Sequence, residues 1–218
     1  MINKADEFAL NRERMVKEQI SGRGIKDLAV LRAMRTVPRE VFVSERYQRY
    51  AYDDTPLPIP GRQTISQPYV VALMIERLEL DPQDRVLEIG TGSGYAAALL
   101  SQIVREVHTV ERIKELVNYA RERLGLLGYD NVHVHHGDGT LGWGKEAPYN
   151  GIIVAAGGPT VPESLKDQLA EQGRLIIPVG RSERRQYLIY VTRTGEESFQ
   201  QSEMGAVAFV PLIGDEGW

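Results

Sequence analysis

From Arg85 onward, short apolar runs rich in β-branched residues alternate with longer segments whose apolar residues recur at helical spacing. The pattern predicts strands at 85–89, 107–110, 132–136, 151–155 and 174–179, with helices at 94–104, 113–127 and 162–170. Alternation of this kind builds βαβ units, and so a parallel sheet covered by helices on both faces. Two further β-rich runs, 186–193 and 204–210, flank the polar stretch Thr194–Ser198 and read as a hairpin added at one edge of that sheet. Upstream, residues 6–20 carry Phe8, Leu10, Met15, Val16 and Ile20 in a partly helical pattern that stops at Gly22 and Gly24. Asp27 is placed to cap a second helix bearing Leu28, Val30, Leu31 and Met34, which ends before Pro38. A third helix is expected from Pro68 to about Leu80. The segment 52–68 between them holds Pro56, Pro58, Pro60, Gly61 and Pro68, and is expected to be loop throughout. The reading is one domain over 1–218: N-terminal helices and a loop over 1–80, then a doubly wound α/β core with its hairpin over 81–218.

Candidate chemistry begins where the first strand of the alternation ends. Glu88-Ile89-Gly90-Thr91-Gly92-Ser93-Gly94 follows an apolar run and precedes an Ala/Leu-rich segment, so a strand, a tight turn and a helix N-terminus are expected in succession. Glycine suits a backbone that must turn sharply and approach a ligand closely. Gly92, Gly94 and Ala97 also fit the dinucleotide fingerprint, so that reading stays open at this point. Glu88 tips the balance. A carboxylate there is unwelcome beside a pyrophosphate but suits the amino group and sulfonium of S-adenosylmethionine. Two more acids stand at the ends of the next strands: Glu111, suited to a ribose diol, and Asp138 before Gly139, placed to accept from an adenine amine. Each alone reads equally well as a solvated loop residue or a helix cap. The three together favour the methyl donor.

Composition narrows the setting. Charged residues make up 26% of the chain, the formal net charge is −4, and no run approaches the length of a membrane span. The mild acidity argues against a nucleic-acid groove, and the nearest basic run, Arg181-Ser182-Glu183-Arg184-Arg185, is short and carries an acid. The polar N-terminus lacks the apolar core of a secretory signal, so a cytoplasmic location is expected, with no membrane partner. Without cysteine there is no thiolate nucleophile and no thiolate-held zinc. No metal set is expected: Asp53-Asp54 reads as a solvated turn, His108 as structural, and His133 and His135 as packing or surface residues. His136 borders the expected adenine pocket.

Three blocks besides the glycine loop resemble one family, the protein-L-isoaspartate (D-aspartate) O-methyltransferases. They are Gln63-Thr64-Ile65-Ser66-Gln67-Pro68, Gly173–Gly180 and Phe209-Val210-Pro211-Leu212, with Val37–Val43 and Tyr149–Val154 in support. The resemblance runs in one register from about residue 12 to 213. It implies a Rossmann-like methyltransferase fold with a mostly parallel seven-stranded sheet. It also implies a monomeric repair enzyme that uses S-adenosylmethionine to methylate the free α-carboxylate of isoaspartyl residues in damaged proteins and peptides. The family's active-site serine falls on Ser66. Its cofactor contacts fall on Gln63, Thr64, Ile65, Glu88, Gly90, Gly92, Ser93, Glu111, Asp138 and Gly139, and its peptide-facing segment on Val210, Pro211 and Leu212. Two departures stand out: Asn150 where relatives carry Asp, and Ala155–Pro159 where they show an Ala/Pro-rich turn.

The residues present suit such chemistry. A carboxylate nucleophile is already ionised at neutral pH, so no base is required, and Ala155–Pro159 offers none. Spacing alone reads Ser66 equally as a helix cap before Pro68; only the resemblance makes it catalytic. An RNA or small-molecule methyltransferase, or a non-catalytic module that keeps the cofactor pocket, remains the competing function.

Overall fold

The computed structural model describes residues 3–182 and 185–218. Met1 and Ile2 of the polar N-terminus, and Glu183 and Arg184 of the short basic run, lie outside them. The N-terminal third is helical: α1 (Lys4–Arg14), continued by a wider turn over Met15–Ile20, and α2 (Leu28–Thr36). The Asp27 carboxylate accepts from the amides of Ala29 at 2.8 Å and Val30 at 2.9 Å, so the expected cap is formed. Helical turns at Arg39–Phe42 and Glu45–Tyr50 follow.

The segment expected to be loop contains an antiparallel hairpin of two three-residue strands, β1 (Leu57–Ile59) and β2 (Gln63–Ile65). The prolines are tolerated because an isolated two-stranded ladder leaves many positions with no partner to serve. Its turn places Gly61 at φ +66°, which a glycine adopts without strain. Asp54 is a second correction. It is part of no solvated turn: its carboxylate accepts from the Tyr69 amide at 3.0 Å and Gln67 Nε2 at 2.6 Å, and pairs with Arg23. It thereby caps α3 (Pro68–Arg77) from outside the local sequence.

The core alternates as expected: β3 (Arg85–Ile89), α4 (Tyr95–Ser101), β4 (Glu106–Glu111), α5 (Lys114–Leu126), β5 (Val132–His136), β6 (Tyr149–Val154), α6 (Glu163–Asp167) and β7 (Leu169–Ser182). The tail adds β8 (Arg185–Gly195) and β9 (Ser198–Val207). The sheet order is β5-β4-β3-β6-β7-β8-β9, parallel from β5 through β7 and antiparallel beyond. The last helix of the alternation is shorter than predicted because Leu169 already pairs with Tyr149 of β6. β9 ends at Val207, three residues short of the expected run, and starts earlier because Ser198–Glu203 pairs with β8 despite its polar, exposed side chains.

Strand alternation divides the core between the two faces of the sheet. Val86, Val107, Ile153 and Ile176 pack towards the N-terminal helices, while Leu87, Ile89, Ile152, Val154, Leu175 and Ile177 pack on the other face. Burial on both sides is what a helix-covered parallel sheet requires. Among the described residues no helix is long and apolar enough to cross a membrane. β3 is the switch point, with β4 on one side and β6 on the other, and a crevice opens beyond its carboxyl end. Asn150 accepts from the Arg85 amide at 3.0 Å and so closes the opposite end of that strand.

The Asp27 cap satisfies two amides at the start of α2, whose inner face is buried through Val30, Leu31, Ala33 and Met34. Asp27→Ala is expected to lower stability by about 1 kcal/mol, within a range of roughly 0.5–2. Urea unfolding with an unchanged slope checks this, and an unaltered midpoint would show that α2 is held by its packing alone.

Candidate active site

Beyond β3 the backbone turns through Gly90, Gly92 and Gly94 at φ +88°, +54° and +90°. At Gly94 the need for glycine is double, because a Cβ there would also lie 3.3 Å from Ala120 and Leu124 of α5. The turn bounds a cavity whose other walls are β2 with Ser66, the end of β4 with Ile113, Gly139, and the segment Phe209–Ile213. Gln63, Thr64, Ile65, Ser66, Glu88, Gly90, Gly92, Ser93, Glu111, Gly139, Val210, Pro211 and Leu212 all line it.

Asp138 does not. Its Oδ1 caps the turn after it, accepting from the Thr140 amide at 2.9 Å and hydroxyl at 2.8 Å, and Oδ2 accepts from the Asp215 amide at 2.8 Å. Burial works the other way, but these bonds hold the carboxyl below its usual range. In this arrangement the side chain anchors the C-terminal segment, and the neighbouring Gly139 lines the cavity at this edge. Gly139 fits there because a Cβ would meet Ile89 at 2.5 Å.

The two remaining acids differ sharply in setting. Glu111 accepts from the Gly92 amide at 3.0 Å through Oε2 and from the Ile113 amide at 2.8 Å through Oε1, which fixes the glycine turn against the end of β4. Each oxygen keeps a second lone pair for a ligand hydroxyl. Glu88 is 1% exposed. Its cross-strand partner Thr109 donates to Oε2 at 2.6 Å, and the Thr91 hydroxyl lies 2.6 Å from that of Thr109. Among the described residues no Lys, Arg or His pairs with it. Burial pushes its carboxyl up to about 8, opposed by the Thr109 bond and reinforced by the charge of Glu111. A buried carboxylate with no cation, facing a cavity, fits a positively charged ligand.

Ser66 precedes α3 but does not cap it: the capping position is Gln67, whose side chain bonds Asp54 rather than the helix amides, and Asp54 reaches the Tyr69 amide instead. The Ser66 hydroxyl has no hydrogen-bond partner among the described residues, and it borders both this cavity and a second one adjoining it. The second cavity runs along Pro56, Gln67, Val70 and Ala206–Val210 and is lined by no ionisable side chain.

Two buried residues that the sequence did not single out hold these walls. Arg39, fully buried, donates from Nε to the Ala51 carbonyl at 2.8 Å and from Nη2 to the Ser66 carbonyl at 2.9 Å. Its guanidinium lies 4.7 Å from the centre of the Tyr95 ring, and Nη1 has no hydrogen-bond partner. Gln186 grips the main chain of Phe209 at both ends: Oε1 accepts from its amide at 2.8 Å and Nε2 donates to its carbonyl at 3.1 Å. Val210 and Leu212 in turn exchange main-chain bonds of 2.8 Å with Gly157, inside the Ala155–Pro159 turn. Trp218, unassigned from the sequence, donates from Nε1 to the Gly157 carbonyl at 2.9 Å.

Comparison with known proteins over nearly the whole chain points to one family. Residues 10–217 match the family model "Protein-L-isoaspartate(D-aspartate) O-methyltransferase". A protein-L-isoaspartate O-methyltransferase 2 of Pelobacter propionicus is 60% identical over 207 residues, covering 95% of this chain and 92% of the relative. A Rhodopseudomonas palustris protein-L-isoaspartate O-methyltransferase 1 is 57% identical over 98% of this chain and 87% of its own. Among solved structures, one of a protein-L-isoaspartate O-methyltransferase superposes with a TM-score of 0.86 at 32% identity, covering 94% of this chain and 67% of its own. A Plasmodium falciparum protein described as a protein-L-isoaspartate O-methyltransferase, in complex with S-adenosyl-L-homocysteine, gives 0.79 at 31%, covering 91% and 96%.

Arg39→Lys tests the support of the Ser66 loop. An ammonium cannot span both carbonyls as the planar fork does. One lost charged hydrogen bond is worth about 1.5–3 kcal/mol. Amide exchange across residues 63–67 is therefore expected to accelerate at least tenfold, and unchanged protection would place the loop's support elsewhere.

Proposed function

Because the chain belongs to the protein-L-isoaspartate (D-aspartate) O-methyltransferase family, we propose that it is a repair enzyme for damaged proteins and peptides. It transfers a methyl group from S-adenosylmethionine to the free α-carboxylate of L-isoaspartyl residues, with D-aspartyl residues as a candidate second substrate. The observation that carries this reading is the joint lining of one cavity by the uncompensated Glu88 carboxylate and by Ser66, where the uncharged second cavity meets it. The cytoplasmic setting, the monomeric state, the single-domain organisation and the lack of a nucleic-acid partner expected from the sequence belong to the same reading.

S-adenosylmethionine, when bound, supplies an electrophilic methyl group on a sulfonium. The residues present fit its parts. Glu88 offers a carboxylate to the cationic end, Glu111 offers free lone pairs to the ribose hydroxyls, and Gly139 with Ile89 provides a flat wall for the base. The incoming carboxylate needs no base, since it is ionised well below neutral pH. What it needs is orientation and removal from water. Ser66 donates a hydrogen bond that orients it, and the wall from Phe209 to Leu212 excludes solvent. In an isoaspartyl linkage the carboxylate sits directly on Cα, whereas a normal aspartate carries it one methylene further out. A misplacement of about 1 Å can cost roughly a hundredfold in rate.

With labelled methyl donor and paired peptides, the isoaspartyl peptide is expected to be methylated at least about a hundredfold faster than its aspartyl twin. Ser66→Ala should lower kcat by about ten- to a thousandfold and, at saturating cofactor, leave the pH profile of kcat flat near neutrality. Equal labelling of the two peptides would instead favour a general carboxyl or small-molecule methyltransferase.

Glu88 makes a separate prediction about pH. Its carboxyl is pushed up to about 8 mainly by burial, so below that pH the free protein holds it protonated and neutral. A cationic cofactor pairs with the ionised form, so its binding should strengthen as pH rises from 6 towards 8, by up to about tenfold per unit, and Glu88→Gln should remove this rise. Calorimetry of both proteins checks it; a flat profile for the unmodified chain would show that Glu88 does not face the charge.

A further inference from the structure

On the face of the sheet opposite Glu88, towards the amino ends of the strands, three side chains converge that the methyl-transfer reading does not use. Glu106 and His108 stand two residues apart on β4 and share a face, and His133 is the direct cross-strand partner of His108 on β5. One donor atom from each of the three lies within 4.8 Å of the other two. Glu106 Oε1 is 3.3 Å from His108 Nε2 and 3.4 Å from His133 Nε2. These separations match the edge of a tetrahedron around a zinc-type ion, about 3.3–3.4 Å for metal–ligand bonds of about 2.0–2.1 Å.

A second, independent observation points to a ligand. His108 Nε2 is buried and has no hydrogen-bond partner, although Glu106 Oε1 stands 3.3 Å away. The pair has a close approach without the alignment of a hydrogen bond, as expected of two donors aimed at a common third atom. The surroundings prepare both for that role. Arg85 Nε donates to the other carboxylate oxygen, Oε2, at 2.8 Å and leaves Oε1 available. His108 Nδ1 lies 3.0 Å from His135 Nε2, so a proton on Nδ1 shared with His135 leaves the Nε2 lone pair to ligate. His135 is itself fixed by stacking on Trp143, with ring centroids 4.0 Å apart. An oriented outer partner on the far ring nitrogen is the usual accompaniment of a metal-bound histidine. The His133 side chain is 45% exposed and provides the entry path.

We infer that Glu106, His108 and His133 form a binding site for a divalent transition-metal ion of the zinc class, with a fourth position open to water. Two imidazoles and one carboxylate are the ligand set such ions take, and magnesium and calcium avoid. β5 is an edge strand, so the ion would fasten that edge to β4. The sequence reading of His108 as structural and His133 as packing or surface missed this, because the three residues meet only through strand pairing.

The probe is zinc ion added to chelator-treated protein, followed by calorimetry and thermal unfolding. One equivalent is expected to bind with micromolar or tighter affinity and to raise Tm. His133→Gln and Glu106→Gln should each weaken binding at least tenfold and abolish the Tm increase, while His136→Gln, altered outside the cluster, should retain both. Cobalt ion in place of zinc should give the intense visible absorption of a four-coordinate centre, lost in His133→Gln. Methylation of an isoaspartyl peptide by His133→Gln should match that of the unmodified chain, which separates failure of this site from failure of the proposed activity. Absence of binding at tens of micromolar zinc, or binding that survives His133→Gln undiminished, would overturn the assignment.

Discussion

Glu88 enters the interior on the central strand, where an uncompensated charge is far more expensive than at the surface, and the described residues around it supply one hydrogen bond from Thr109 and no cation. Much of the neighbouring architecture follows from accommodating that carboxyl. The Thr91–Thr109 contact orders its donor, and the glycine turn keeps Cβ atoms away from the space in front of it. Glu111 sits close enough to raise its pKa, yet has its own charge directed into the amides of Gly92 and Ile113. The result is a cavity whose electrostatic deficit is local and directional, at the carboxyl edge of the sheet where the strand order reverses. The imidazole cluster stands on the opposite face of the sheet, on the neighbouring strands β4 and β5.

The alternating core was legible because its strands are buried on both faces and read as uninterrupted apolar runs, as in Val86-Leu87 and Ile152-Ile153-Val154. Where burial is one-sided or absent the pattern fades. β9 pairs through its main chain while most of its side chains face solvent, and the β1–β2 hairpin is written in residues that ordinarily break strands. The glycine loop, Glu88, Glu111 and the Ser66 segment could be read locally, since each sits at a strand end or just before a helix. Arg39, Gln186, Asp54 and Trp218 could not. Their partners lie 12 to 61 residues away and are mostly backbone groups, which leave no trace in residue identity. Asp138 differs again: its place at the strand end could be read, but not that its carboxylate would accept from Thr140 and the distant Asp215 amide.

The walls of the cavity in front of Glu88 are hung from outside it. Arg39 holds the Ser66 carbonyl and Gln186 holds Phe209 at both main-chain ends, while Gly157 and Trp218 secure the stretch beyond. All of these grips are on main chain, so the spacing between the two walls does not depend on which side chains happen to line them. Among the described residues, moreover, the adjoining cavity is lined by no ionisable side chain. A lining of this kind offers no side-chain charge with which to select among the residues flanking a bound group. For the proposed repair of lesions scattered through unrelated proteins, a cavity that exerts no charge selection places fewer restrictions on where a lesion falls.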